Sequence, residues 1–278
     1  MLTRLWTFHC GHAPVPRALL ESGESWEIVR MPLLGALVEH DSMGPILIDA
    51  PLGRRGLEAV GSGTATTMDL LGFEFSPEWG VVGRIEEIGF APEDVGRALF
   101  THLHVDHTGG MPDLPGTLFY SARREWDLAN HLPDFRAKME GYIPSLYESR
   151  YEQVELFDRP DPFSEDRAGL DLFGDGSIRV VSFPGHTPYH VGFRLTFADG
   201  EEYLHVGDAA FTLEQITRAR PLGPMPRSFA EDVDLARTTL KDLRSFHARF
   251  DDVSLVNAHD PGLGAECRDA PALVHEAR

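Results

Sequence analysis

Alternation of apolar and polar residues with a two-residue period is clearest at 190–197, His-Val-Gly-Phe-Arg-Leu-Thr-Phe, and marks a strand. Apolar runs at 177–183 and 203–208 flank it, and Ala198-Asp199-Gly200 supplies a hairpin turn. In the first half, residues 27–30, 33–38 and 45–49 predict successive strands, the last two joined by a tight connection at 40–44. Short strands are expected at 95–100 and 118–120, and a last one at 253–256. Helical spacing marks 81–88, stopped by Gly89, and 122–129. Ser228 and Glu231 have the form of a capping box, opening a helix with Val233, Leu240, Leu243 and Phe250 near one face. Pro14, Pro16 and residues 21–27 read as irregular chain within an N-terminal segment, 1–30, expected to cover a site; 61–67 reads as loop, 131–176 as further cover, and the chain from 261 on as a tail or short terminal helix. His131, Tyr142, Tyr147 and Tyr151 read as packing residues. Two blocks of mostly antiparallel strands, each leading to a helix, predict two sheets packed face to face with helices outside, in one domain over 1–278.

Against that background the stretch 101–110, Thr-His-Leu-His-Val-Asp-His-Thr-Gly-Gly, stands out. Four ligand-type side chains in six positions are hard to explain by packing. Extended backbone sends His102 and His104 to the same side. Asp106 and His107 fall where the strand has ended, so they can aim at a second point nearby. Imidazole nitrogens and carboxylate oxygens suit borderline divalent metals such as zinc, and the spacing suggests two adjacent ions. His186, Asp208 and His259 sit at later strand ends or in the loops after them, where sites are usually built. Asp49 also ends an apolar strand; it reads equally well as a turn cap or as an acceptor that orients a liganding histidine. His9 and His12 read as loop or pocket-lining residues rather than ligands.

Composition narrows the partners. The 278 residues carry 44 acidic and 25 basic side chains, a formal net charge of -19. Such a surface repels phosphate backbones and anionic membranes, so neither nucleic acid nor membrane is expected as a partner. Two cysteines, Cys10 and Cys267, indicate free thiols rather than a disulfide framework. No signal peptide or spanning segment is read, and a cytoplasmic enzyme is expected. A homodimer is left open.

The pattern His102-x-His104-x-Asp106-His107, followed by His186, Asp208 and His259, resembles the metallo-β-lactamase superfamily, and within it the N-acyl homoserine lactonases. The likeness runs from about residue 27 to 261 and includes the 44–49, 184–188 and 207–209 stretches. It implies an αββα sandwich of two mixed sheets with a dinuclear centre. One metal would be held by His102, His104 and His186, the other by Asp106, His107 and His259, with Asp208 bridging. The metals would be zinc by default, or iron, manganese or cobalt. A hydroxide between them would attack a lactone or ester carbonyl, with acyl homoserine lactones among the substrates. Asp106 would shuttle the proton to the leaving oxygen, and His190 would support the centre from behind.

Two positions depart from the lactonases. Their tyrosine three residues after the bridging aspartate is Phe211 here, which has no hydroxyl to donate. Their glycine between proline and histidine of the second motif is Tyr189, and this tyrosine, or a residue of the cover, is expected to replace that donor in part. Rival readings are a thioesterase of the glyoxalase II type, a phosphotriesterase-like hydrolase, a nuclease and a metal-loaded binding protein without turnover. A flavin-linked di-iron protein would carry Glu in place of His104.

Overall fold

The computed structural model describes residues 1–60, 72–133, 136–137, 140–147, 153–158 and 169–277. Twelve strands among them form two sheets. The larger has the order β12-β1-β2-β3-β4-β5-β6, from Ala272–Glu276, Leu2–Pro16, Ile28–His40, Gly44–Ile48, Arg97–Leu99, Leu118–Ala122 and Val154–Phe157. The smaller has the order β11-β10-β9-β8-β7, from Val253–Val256, Glu202–His205, Val191–Thr196, Ile178–Ser182 and Leu170–Asp171.

Alternation across each strand builds the layers. Ile46 and Ile48 of β3 point to one face, with Val38 of β2, and meet Val180, Val191, Phe193 and Leu195 of the smaller sheet. Leu37 and Leu47 point the other way and pack with Val81 and Ile85 of the Val81–Ile88 helix and Trp126 of the Arg123–His131 helix. Beyond the smaller sheet, Val181 and Leu204 meet Leu240, Leu243 and Phe246 of the Val233–Arg249 helix. The order is therefore helix, sheet, sheet, helix: the expected αββα sandwich. Each large apolar side chain buried here stabilises by about 1.5–3 kcal/mol, so the scaffold does not depend on its rim for cohesion.

Several local expectations need correction. Pro14 and Pro16 belong to a strand, Leu2–Pro16, not to irregular chain. The partner strand β12 covers only Arg4 to Thr7, so Pro14 and Pro16 lie where the outer edge of β1 asks for no β12 ladder bond. That partner is the supposed tail: after a short helix, Pro261–Glu266, the chain returns as β12, so 253–256 is not the last strand. Residues 27–30 and 33–38 form one strand, β2. The helix cap is Asp232, whose carboxylate accepts from the amides of Asp234 and Leu235; Ser228 lies inside the preceding Pro224–Phe229 helix. Gly89 does end its helix, at φ 109°. The loop expected at 61–67, and Tyr151, lie outside the described residues.

The strands are also less antiparallel than expected. β3, β4, β5 and β6 run parallel, as do β10 and β11. β8 is antiparallel to β9, which is antiparallel to β10, so β8 shares the direction of β10. Asp49 and His102 follow the C-terminal ends of β3 and β4; His186, Asp208 and His259 follow those of β8, β10 and β11. Within each sheet, equal strand direction puts these loops on one rim.

Candidate metal centre

Three imidazole nitrogens converge first. His186 Nε2 lies 3.2 Å from His102 Nε2 and 3.0 Å from His104 Nδ1. Beside them, Asp208 Oδ2 is 3.3 Å from His186 Nε2 and 3.2 Å from His259 Nε2, while Oδ1 is 3.3 Å from His107 Nε2. Asp106 Oδ2 is 3.6 Å from His259 Nε2 and 4.0 Å from His107 Nε2. Ligand atoms within each of the sets His102/His104/His186 and Asp106/His107/His259 lie within 4.8 Å of one another, and His102, His107 and Asp208 form a third such group between them. All seven residues proposed from the sequence are thus brought together.

The ligands are aimed by specific bonds. Asp49 stands at φ 58°, and its carboxylate accepts from the Thr101 amide and hydroxyl, both at 2.9 Å. The same carboxylate takes a hydrogen bond from His107 Nδ1 at 2.8 Å. His259 Nδ1 donates to the Pro32 carbonyl at 2.8 Å. With Nδ1 carrying the proton in each ring, Nε2 presents its lone pair to the centre. Asp49 is therefore the orienting acceptor, one of its two sequence readings. His190 Nε2 accepts the Asp208 amide at 3.0 Å. A Cβ on Gly207, at φ 51°, would stand 2.7 Å from that nitrogen, so glycine is required there. His190 thus supports Asp208 from behind and positions it.

Burial holds His102 and His186 well below the usual histidine range, with neighbouring imidazoles adding to the effect. His104 and His190 are lowered to about 4, again chiefly by burial. His107 and His259 move the other way: burial opposes protonation, but Asp208 and the other carboxylates outweigh it. Asp208 is held well below the carboxylate range because His259, His107 and His186 outweigh its burial. These residues fit a pair of cations. Three lone-pair nitrogens face one point, and His107 Nε2 and Asp208 Oδ1 are buried without completing a hydrogen bond.

The centre forms the floor of a cavity of about 230 Å³. His104, Asp106, His186, Asp208 and His259 line it together with Met31, Leu33, Phe73, Phe211, Met225 and Phe229. Phe211 packs its ring 4.9 Å from His259 and 5.8 Å from His186. Tyr189 is half-buried with the Arg124 guanidinium 5.9 Å from its ring centre, and it is not among the described residues lining the cavity. Its place lends no support to its replacing the missing donor. His9 and His12 are buried in β1, not in a loop, with Nε2 and Nδ1 3.2 Å apart. Tyr142 packs edge-on against His104 at 4.8 Å. The reading from sequence missed Glu125, buried beside this tyrosine and raised to about 7 by burial against its hydrogen bonds. A signal existed: Glu125 lies on the same helix face as Ala129, which is core.

Comparison with known proteins agrees with this fold. The family model described as the metallo-beta-lactamase superfamily matches residues 60–250. The chain belongs to that superfamily. It is 32% identical over 197 residues to the N-acyl homoserine lactonase AttM of Agrobacterium fabrum, covering 69% of this chain and 68% of the relative. It is 29% identical over 200 residues to a probable metallo-hydrolase, Rv2300c, of Mycobacterium tuberculosis, covering 70% and 61%. Among solved structures, this superfamily member resembles an N-acyl homoserine lactone hydrolase with the product N-hexanoyl-L-homoserine at its catalytic metal centre. The TM-score is 0.71 at 20% identity, covering 96% of this chain and 97% of that one. The dizinc quorum-quenching lactonase AidC gives a TM-score of 0.65 at 15% identity, covering 92% and 87%.

Proposed function

We propose that this protein is a two-metal hydrolase of lactones and related esters. The observation that carries the reading is the pair of ligand sets sharing Asp208 beneath a largely apolar cavity. His102, His104 and His186 would hold one ion and Asp106, His107 and His259 the other, with the Asp208 carboxylate within 3.3 Å of nitrogens from both sets. Zinc is the proposed metal because the donors are nitrogen and oxygen at a borderline-soft site, which also suits iron, manganese or cobalt. Divalent cations bound there would supply Lewis acidity toward a carbonyl and toward water.

The chain's own residues supply the rest. Asp106 is the most exposed of the ligands, with 30% of its side chain accessible. Its carboxylate reaches the cavity and can carry a proton from the attacking water to the leaving alkoxide. His190 holds the Asp208 backbone, Asp49 the His107 ring and the Pro32 carbonyl the His259 ring. Met31, Phe73, Met225 and Phe229 offer an apolar wall suited to an acyl chain. The relatives named as N-acyl homoserine lactonases support that substrate class. Phe211 gives the carbonyl no hydroxyl.

The test is elemental analysis paired with a screen of lactones, simple esters, a thioester and an aryl phosphotriester. Two metals per chain with preference for a lactone are expected. A fully loaded protein that turns over none of them would refute hydrolysis, and a preferred thioester would move the substrate class.

A further inference from the structure

We propose that Glu125 is a positioning residue that sets the spacing of the three-histidine site, acting through the residues beside the ligands. The proposal rests on reading His102, His104 and His186 as a metal site. Glu125 lies in the Arg123–His131 helix and is 1% exposed. Its Oε1 accepts from the Leu103 amide at 3.3 Å and the Tyr142 hydroxyl at 3.0 Å. Its Oε2 accepts from the Thr187 hydroxyl at 2.8 Å.

These donors come from three separate segments. Leu103 lies between His102 and His104 in the chain. Tyr142 stacks edge-on against His104 at 4.8 Å, and the two residues form a backbone bridge. Thr187 follows His186. One carboxylate oxygen therefore serves the His102/His104 side and the other serves the His186 side. The first side follows β4 of the larger sheet and the second follows β8 of the smaller one. Glu125 spans the seam where the two sheets contribute to one site. A rigid acceptor across that seam fixes how far apart the imidazoles can drift. Asp49, by contrast, bonds a ligand ring directly.

Zinc titration of metal-depleted protein tests this in a His259→Ala background, which leaves the three-histidine set intact. Glu125→Ala is expected to weaken that site about 10- to 100-fold, the usual cost of losing an outer support. Glu125→Gln should stay within a few-fold, because its amide oxygen still accepts from Tyr142 and Leu103 while its NH2 donates to the Thr187 hydroxyl. Cobalt absorption should change in the alanine variant and persist in the glutamine one. Thermal unfolding reports whether each variant folds. Should the alanine variant fail to fold, Thr187→Val cuts only the His186 arm and should weaken zinc in the same direction. Affinity equal to that of the His259→Ala parent in Thr187→Val, or in a folded Glu125→Ala, would overturn the proposal. Absence of zinc binding in the His259→Ala parent would overturn the site reading and the proposal together.

Discussion

The two ligand sets differ in where their charge sits. His102, His104 and His186 contribute three buried imidazoles, and burial holds all three toward the neutral form. His107 and His259 share their set with Asp106, lean on Asp208, and are pushed toward protonation by those carboxylates. Their supports differ as well. His107 and His259 are held directly through Nδ1, by Asp49 and by the Pro32 carbonyl. The first set is tied through neighbours, with Glu125 on the Leu103 and Thr187 groups. The proposed two-metal centre thus has two dissimilar halves: one shaped by exclusion of water, the other by fixed negative charge. Asp208 is the residue both halves share.

The comparison is broken most severely at that shared residue. Asp208→Asn removes the charge that both halves use, and the loss in kcat/KM should exceed the roughly 10- to 100-fold typical of outer supports. Metal content by elemental analysis should fall at the same time; two retained metals would show that the halves do not depend on the bridge. Asp49→Ala tests chiefly one half, since Asp49 bonds His107 directly and reaches His102 only through the Thr101 hydroxyl, 3.1 Å from its Nδ1. Zinc affinity should drop about 10- to 100-fold at the Asp106/His107/His259 set and less at the other. The freed Thr101 donors should also cost about 1–3 kcal/mol each in denaturant unfolding. Equal weakening of both sets would contradict the division of labour.

A second carboxylate–histidine pair, outside the centre, sharpens the contrast. Asp175 Oδ2 lies 2.8 Å from His40 Nε2, the same separation as Asp49 from His107, yet its side chain is 36% exposed. Partial burial would raise the Asp175 carboxyl, but the Ser177 hydrogen bonds and His40 outweigh it and lower it to about 2. A depressed carboxyl stabilises the fold above its ordinary value near 4 and loses that contribution as pH falls through about 2. Asp175→Asn should therefore lower the unfolding midpoint at neutral pH by a modest amount, with the difference from wild type vanishing near pH 2. A gap that persists there would assign the effect to packing. The smallest effect is expected from Tyr189→Phe: with its ring against Arg124, wild-type turnover of lactones is predicted, and a clear fall in kcat would return the hydroxyl to the reaction.

Local order was legible before any coordinates. The two-residue periods at 190–197, the 81–88 helix with its Gly89 stop, and the His-x-His-x-Asp-His block all follow from the nearest few residues, because side-chain direction is a property of backbone geometry. The types of ligand and the metal chemistry they suit were equally plain. What the chain alone left open were relations between distant segments. It did not show that residues 2–16 and 272–276 pair, since each strand gains its ladder only from the other. Nor did it show which strands run parallel, and so why five loops from two sheets reach one rim. Asp49 could be read two ways until His107 was found against it. Glu125 was just one acid on an amphipathic helix. Only packing made it buried, and only the meeting of two sheets gave its two oxygens donors from three segments. Periodicity records how a residue faces its own element; burial and convergence depend on what comes to lie opposite.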